Sequence, residues 1–374
     1  MIYFDNAATG GFKPRAVTDA VCNVVRYLSA NPGRSAHRLS LAGAEIVYST
    51  RKALAELFNA QSERVIFTKN CSEALGVAIY GMVEKDMHVI TTVYEHNSVL
   101  RPLFLLKEKG FITLDVAVPE KDKSIVDKIS ELITEKTGLV VVSALSNVTG
   151  ESLPILEIGK LCKQKNILFI VDGAQAGGHV KIDIKETGIS ALALACHKGL
   201  YGIMGSGALI VGDDVEISPV FVGGTGSESF NLKHPSTYPD RLESGTLNLP
   251  AIAGLFEGVR YVRCNLSAFN KILTEQTEYL IAELNKLPFV TCYSSPNPAG
   301  IVSFSVKNTS SVEVADLLNK NFDIAVRSGI HCAPLLHQYL GTVDVGLTRV
   351  SLSPQNTYRE IRFFIKALID LFEN

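Results

Sequence analysis

Positive charge is not in excess in this chain of 374 residues: 36 Lys and Arg stand against 38 Asp and Glu, for a formal net charge of -2. That balance leaves no electrostatic footprint for a nucleic acid or an anionic membrane. No uninterrupted apolar run approaches the ~18 residues that a membrane-spanning helix needs. The N-terminus also lacks the basic segment and following apolar stretch of an export signal. A cytoplasmic protein acting on a small ligand is therefore expected. The seven cysteines, Cys22, Cys71, Cys162, Cys196, Cys264, Cys292 and Cys332, include no Cys-x-x-Cys pair and are odd in number. Neither a disulfide framework nor a zinc site with paired ligands is expected from them. Internal repeats and low-complexity tracts are absent too.

What the chain does contain is alternation. Between residues 60 and 212, short β-branched runs (64–68, 88–92, 111–116, 138–143, 167–171, 190–194, 207–211) are separated by amphipathic stretches at 71–84, 98–109, 122–134 and 155–165. Strands alternating with helices predict an α/β fold with a mostly parallel central sheet covered by helices on both faces. Ligands in such sheets bind at the carboxyl ends of the strands. Polar clusters fall there: Asn70-Cys71-Ser72-Glu73, Glu95-His96, Ser146-Asn147 and Asp172-Gly173-Ala174-Gln175. After about residue 255 the pattern changes to a long helix, a strand at 301–306, a helix at 311–320, a strand at 324–326 and a last helix from about 357. This predicts a large domain at 15–255 and a smaller α+β domain formed by 1–14 and 256–374.

The most informative pair is Asp172, closing an apolar run, and Lys198, which follows His197. An amine able to form a Schiff base, and a carboxylate able to keep a pyridine nitrogen protonated, are two groups that pyridoxal 5′-phosphate (PLP) chemistry requires. Taken singly, an aspartate at a strand end can cap a turn, and most lysines are solvated. The loop at Asn70-Cys71-Ser72 precedes a helix, whose first N–H groups suit a phosphate.

In order along the chain, Tyr3-Phe4-Asp5-Asn6-Ala7-Ala8, Asn31-Pro32-Gly33-Arg34-Ser35-Ala36-His37, Glu95-His96, Ser146-Asn147, Asp172 to Gln175, His197-Lys198, Arg241 to Thr246, Arg327 to Cys332 and Arg349 resemble the class V aminotransferases, and within them the cysteine desulfurases. The resemblance spans nearly the whole chain, and the joint order of weak motifs is a strong signal. It implies a fold-type I PLP enzyme that converts L-cysteine to L-alanine. Lys198 would carry the cofactor and act as base, Asp172 would hold the pyridine nitrogen, and Gln175 the phenolic oxygen. His96 would stack on the ring, and Cys71, Ser72 and His197 would surround the phosphate. Cys332 would accept the sulfur as a persulfide. Arg349 would grip the substrate carboxylate with help from Asn147, and Ala8, Arg34 and His37 would complete the substrate site. Thr246 would reach the phosphate of a second copy, which implies a homodimer, and a sulfur-acceptor or scaffold protein of iron–sulfur or thio-cofactor assembly would be the partner.

Two departures stand out. Ala195 replaces a commoner serine that binds phosphate, and Cys71 replaces a commoner small or hydroxylated residue. The motifs also mix features of group I desulfurases (the N-terminal ones) and group II (Arg34, Glu243 to Thr246, the tight cysteine loop). A selenocysteine lyase, another PLP-dependent C–S lyase, an aminotransferase, or a silent scaffold for sulfur carriers would share much of this pattern.

Overall fold

A computed structural model describes residues 1–33 and 35–373. In chain order its elements are β1 (Ile2–Tyr3), α1 (Arg15–Tyr27), α2 (Arg38–Phe58), β2 (Val65–Thr68), α3 (Cys71–Met82), β3 (Met87–Thr92), α4 (Asn97–Glu108), β4 (Ile112–Ala117), α5 (Ile125–Leu132), β5 (Thr137–Ser143), α6 (Ile155–Gln164), β6 (Leu168–Asp172), α7 (Ile184–Thr187), β7 (Ala191–Ala195), β8 (Gly207–Val211), α8 (Leu249–Leu284), β9 (Val290–Cys292), β10 (Ile301–Val306), α9 (Ser311–Phe322), β11 (Ile324–Ala325), β12 (Arg327–Gly329), α10 (Pro334–Leu340), β13 (Leu347–Ser351) and α11 (Tyr358–Phe372).

Seven strands form the central sheet in the order β2-β8-β7-β6-β5-β3-β4, with β8 antiparallel to both of its neighbours and the rest parallel. The α/β fold read from the sequence is this one. Runs such as Leu139-Val140-Val141-Val142 are apolar at every position because both faces are covered. Val140, Val142, Phe169 and Val171 enter one core, while Leu139, Val141 and Ile170 enter the other. Each residue shift along a strand changes face.

Beyond this sheet, β12-β13-β10-β9 form an antiparallel sheet, and β1 pairs in parallel with β11. Phe4 joins the core of that region with Val302, Phe304, Val350 and Phe364. The N-terminal residues are thus anchored by apolar burial to the end of the chain. The division expected at 255/256 falls inside α8, which runs unbroken for 36 residues. No described helix is long and apolar enough to cross a membrane.

Candidate active site

The carboxyl ends of β3, β5, β6 and β7 and the start of α3 surround a cleft with about 540 Å³ of free space, mouth included. That size suits a small organic ligand. Asn70, Cys71, Ser72, His96, Ser98, Ser143, Asn147, Asp172, Gln175, Ala195, His197 and Lys198 are among its walls. The residues expected around a cofactor, Thr246 apart, therefore share one cleft.

Asp172 is fixed by its strand end. Its Oδ1 accepts the Ala174 N–H at 2.8 Å and the Cys71 thiol at 3.5 Å. Among the described residues no donor reaches Oδ2. Cys71 is the first residue of α3, and its side chain turns to Asp172 and not outward with Ser72. Burial, then the Asp172 charge, push this thiol well up, so it stays protonated as a donor. The approach of α3 to the sheet depends on Gly207 of β8: a Cβ there would lie 2.4 Å from the Asn70 carbonyl carbon.

Lys198 follows β7, and nothing among the described residues hydrogen-bonds its amine. Desolvation holds it below the ordinary lysine range, with Asp172 pulling the other way, as a base or Schiff-base amine requires. The preceding His197 is clamped by the N-terminal segment. Its carbonyl accepts from the Gly10 N–H (3.0 Å) and Lys13 Nζ (3.1 Å), and its Nδ1 meets Thr9 Oγ1 at 3.1 Å. Desolvation lowers this imidazole to about 4. Gln175 donates from Nε2 to the Ala7 carbonyl at 3.0 Å, and its buried Oε1 finds no partner among the described residues.

His96 caps α4. Its Nδ1 accepts the Ser98 N–H at 3.0 Å, which places the ring proton on Nε2 in the neutral form. Desolvation lowers its pKa. The preceding residue, Glu95, is fully buried and accepts from Thr92 Oγ1 (2.6 Å) and Ser143 Oγ (2.7 Å). Burial raises its carboxyl to about 8.

Cys332 is exposed, on the turn between β12 and α10. Both His331 (φ 53°) and Cys332 (φ 57°) adopt left-handed backbone, a conformation costing a non-glycine residue on the order of 1 kcal/mol. The turn is held by two bonds from the cleft side: Asn97 N–H donates to the Cys332 carbonyl at 2.7 Å, and Asn147 Nδ2 to the His331 carbonyl at 2.7 Å. The thiol is thereby tied to the loop carrying His96 without itself lining the cleft.

Arg349, 2% exposed on β13, donates to the Asn147 carbonyl (2.8 Å) and to Asp5 Oδ1 (3.1 Å), while its Nε finds no partner among the described residues. Burial lowers its pKa to about 10. The side chain of Asn147 thus anchors the cysteine turn, and its backbone anchors the arginine. Ala8 belongs to the N-terminal turn, its N–H donating to the Asp5 carbonyl. His37 is exposed and caps α2 through Ser40 N–H, outside the cleft. Thr246 is exposed in a separate groove with Phe221 and Ser244. Arg34 lies outside the described residues. Sequence reasoning quoted Glu95 and Asp5 in motifs without giving either a role, and passed over Ser98 and Lys13. A His-x-Ser at a strand-to-helix junction was the available signal for Ser98, because that spacing suits a helix cap.

The comparisons decide the family. The profile described as "Aminotransferase class-V" matches residues 2–364. The chain belongs to the class V aminotransferase family. A protein of Methanothermobacter thermautotrophicus named "Probable cysteine desulfurase" is 32% identical over 99% of this chain and 94% of its own length. One so named from Xylella fastidiosa is 34% identical, over 99% and 90%. The apo structure of a cysteine desulfurase from Thermococcus onnurineus superposes with a TM-score of 0.93 at 30% identity, covering 100% of this chain and 94% of that one. PLP is the cofactor of this family. The cleft fits it by the chemistry of its own groups: an unpartnered desolvated amine, a carboxylate with one free oxygen, and a helix N-terminus flanked by Ser72 and His197.

Proposed function

We propose that this chain is a PLP-dependent cysteine desulfurase, which releases L-alanine from L-cysteine and retains the sulfur on Cys332. The observation that carries this reading is the double tether of an exposed cysteine's left-handed turn, to Asn147 in the wall of a cleft holding a desolvated lysine and to Asn97 next to His96 of that wall.

Lys198 and Asp172 would hold the cofactor by its carbonyl carbon and pyridine nitrogen. Ser72, His197 and the first turn of α3 would hold its phosphate. Bound PLP supplies an electron sink for charge released at the substrate Cα. Lys198, kept below the usual lysine range, takes the Cα proton. Arg349 receives the substrate carboxylate with its unpartnered Nε and the amine shared with Asp5, a geometry that guanidinium suits. The Cys332 thiolate attacks the substrate sulfur: an S–S bond forms as the Cβ–S bond breaks, and the electron pair stays with the carbon skeleton. That skeleton is protonated and leaves as alanine, while Cys332 carries the persulfide.

A thiol acceptor on a second protein would then take the sulfur, which the exposure of Cys332 allows. A homodimer is part of the reading: Phe221, Val222, Phe230 and Leu232 are strongly exposed, and Phe221 lines one groove with Thr246. Patches of this kind mark protein contacts. The test is incubation with L-cysteine, mass analysis of Cys332 for one added sulfur, and assay of alanine. Cys332→Ala should bind L-cysteine yet release almost no alanine. Wild-type turnover by that variant would replace this reading with a C–S lyase that needs no nucleophilic thiol.

A further inference from the structure

We propose that Ser98 is a positioning residue that joins His96 to the phosphate end of the cleft, through a hydroxyl chain whose direction depends on whether an anion is bound. The inference rests on the PLP reading above. Its basis is a run of short contacts along one wall: Ser98 Oγ lies 2.6 Å from Ser72 Oγ and 2.9 Å from His96 Nδ1, and the Ser98 N–H also donates to that Nδ1.

Each hydroxyl has one hydrogen to give. With no anion, Ser72 O–H donates to Ser98 Oγ, and Ser98 O–H donates to His96 Nδ1. An anion at the start of α3 draws the Ser72 hydrogen to itself. Ser72 Oγ then becomes the acceptor for Ser98 O–H, and both hydroxyls point toward the negative charge. Chains of this kind strengthen each member by polarisation. His96 Nδ1 keeps the backbone donor and loses the side-chain one. The phosphate end is thereby read by the imidazole, while His96 retains its Nε2–H tautomer. Ala195, in the same cleft, has no hydroxyl to share this load.

The experiment uses apoprotein titrated with PLP and, separately, with pyridoxal, which lacks the phosphate. Ser98→Ala should weaken PLP binding by up to about tenfold, the upper end for one hydrogen bond between neutral groups, and leave pyridoxal binding within about twofold. The backbone N–H that bonds His96 survives in this variant, so the cap is kept. Because Ser98 acts through Ser72, the variant lacking both hydroxyls should bind PLP no more than about threefold worse than Ser72→Ala alone. Adding Ala195→Ser to Ser98→Ala should recover part of the lost affinity by restoring a hydroxyl. Nitrogen NMR of the apoprotein should show His96 Nδ1 shifting on addition of inorganic phosphate, and not in Ser98→Ala. Equal loss of PLP and pyridoxal, multiplicative losses in the double variant, or an unchanged phosphate-induced shift would each overturn the proposal. A wild-type protein that binds no PLP would instead overturn the cofactor reading beneath it.

Discussion

Replacing Glu95 by glutamine should stabilise the protein, and by an amount that grows with pH. The carboxyl is fully buried and does not line the cleft. Its pKa rises from 4.5 to about 8 because burial disfavours the charged form, an effect only partly offset by the hydroxyls of Thr92 and Ser143. A carboxyl raised in the folded state contributes its full stability below the unfolded value and loses it as pH climbs toward the folded value. At pH 7 the unfolded chain has released this proton and the folded chain still holds it. Over the roughly 2.5 pH units between 4.5 and 7, at about 1.4 kcal/mol per unit, the penalty comes to about 3 kcal/mol. Glutamine has the same shape and no charge to release. Its oxygen can accept from Thr92, which also takes the Tyr94 N–H, and its amide can face Ser143. Urea unfolding of wild type and E95Q from pH 4.5 to 8 would show coincident stabilities at the acid end and a gap of about 3 kcal/mol near pH 7. Parallel curves, or a variant less stable throughout, would refute the argument that this carboxyl is held protonated.

Lys198→Ala should fold normally and lose the covalently held yellow chromophore; borohydride reduction and peptide mapping of wild type should find the cofactor on Lys198 and on no other lysine. Asp172→Ala should bind PLP more weakly by about 1.5–3 kcal/mol, the range for a hydrogen bond to a charged group, and lose most turnover; absorbance titration and alanine release measure the two effects. His197 is lowered to about 4 by burial, so the unfolded chain takes up its proton first as pH falls and stability is lost from about pH 6.5 downward. The unfolding midpoint of His197→Gln, followed from pH 7 to 4, should fall less steeply than that of wild type.

The alternation of strands and helices from β2 to β8 was legible because both periods are strong and the central parallel strands β5, β6 and β7 are apolar along most of their length. The start of the chain was not, although α1 and α2 pack on α8: their faces are satisfied by a helix some two hundred residues away. The cofactor end of the site was legible for a related reason. Strand ends carry their polar clusters with them, so Asp172, His96, Ser72 and Lys198 converge once the strand order is given. Direction and desolvation were not legible. Cys71 stands beside Ser72 in the sequence, and only the turn of α3 over β6 sends its thiol to Asp172. Glu95 stands beside His96 in a sequence motif that says nothing of its surroundings, and it is burial against Thr92 and Ser143 that raises its carboxyl. Asn147 lies far from His331 and Arg349 in sequence, yet its side chain and its backbone are what hold those two. The cysteine turn is therefore placed by bonds that no spacing rule records. The sequence pointed to Asn147 for the substrate carboxylate; removing its amide to displace this turn without touching Cys332 is the use that only the fold reveals.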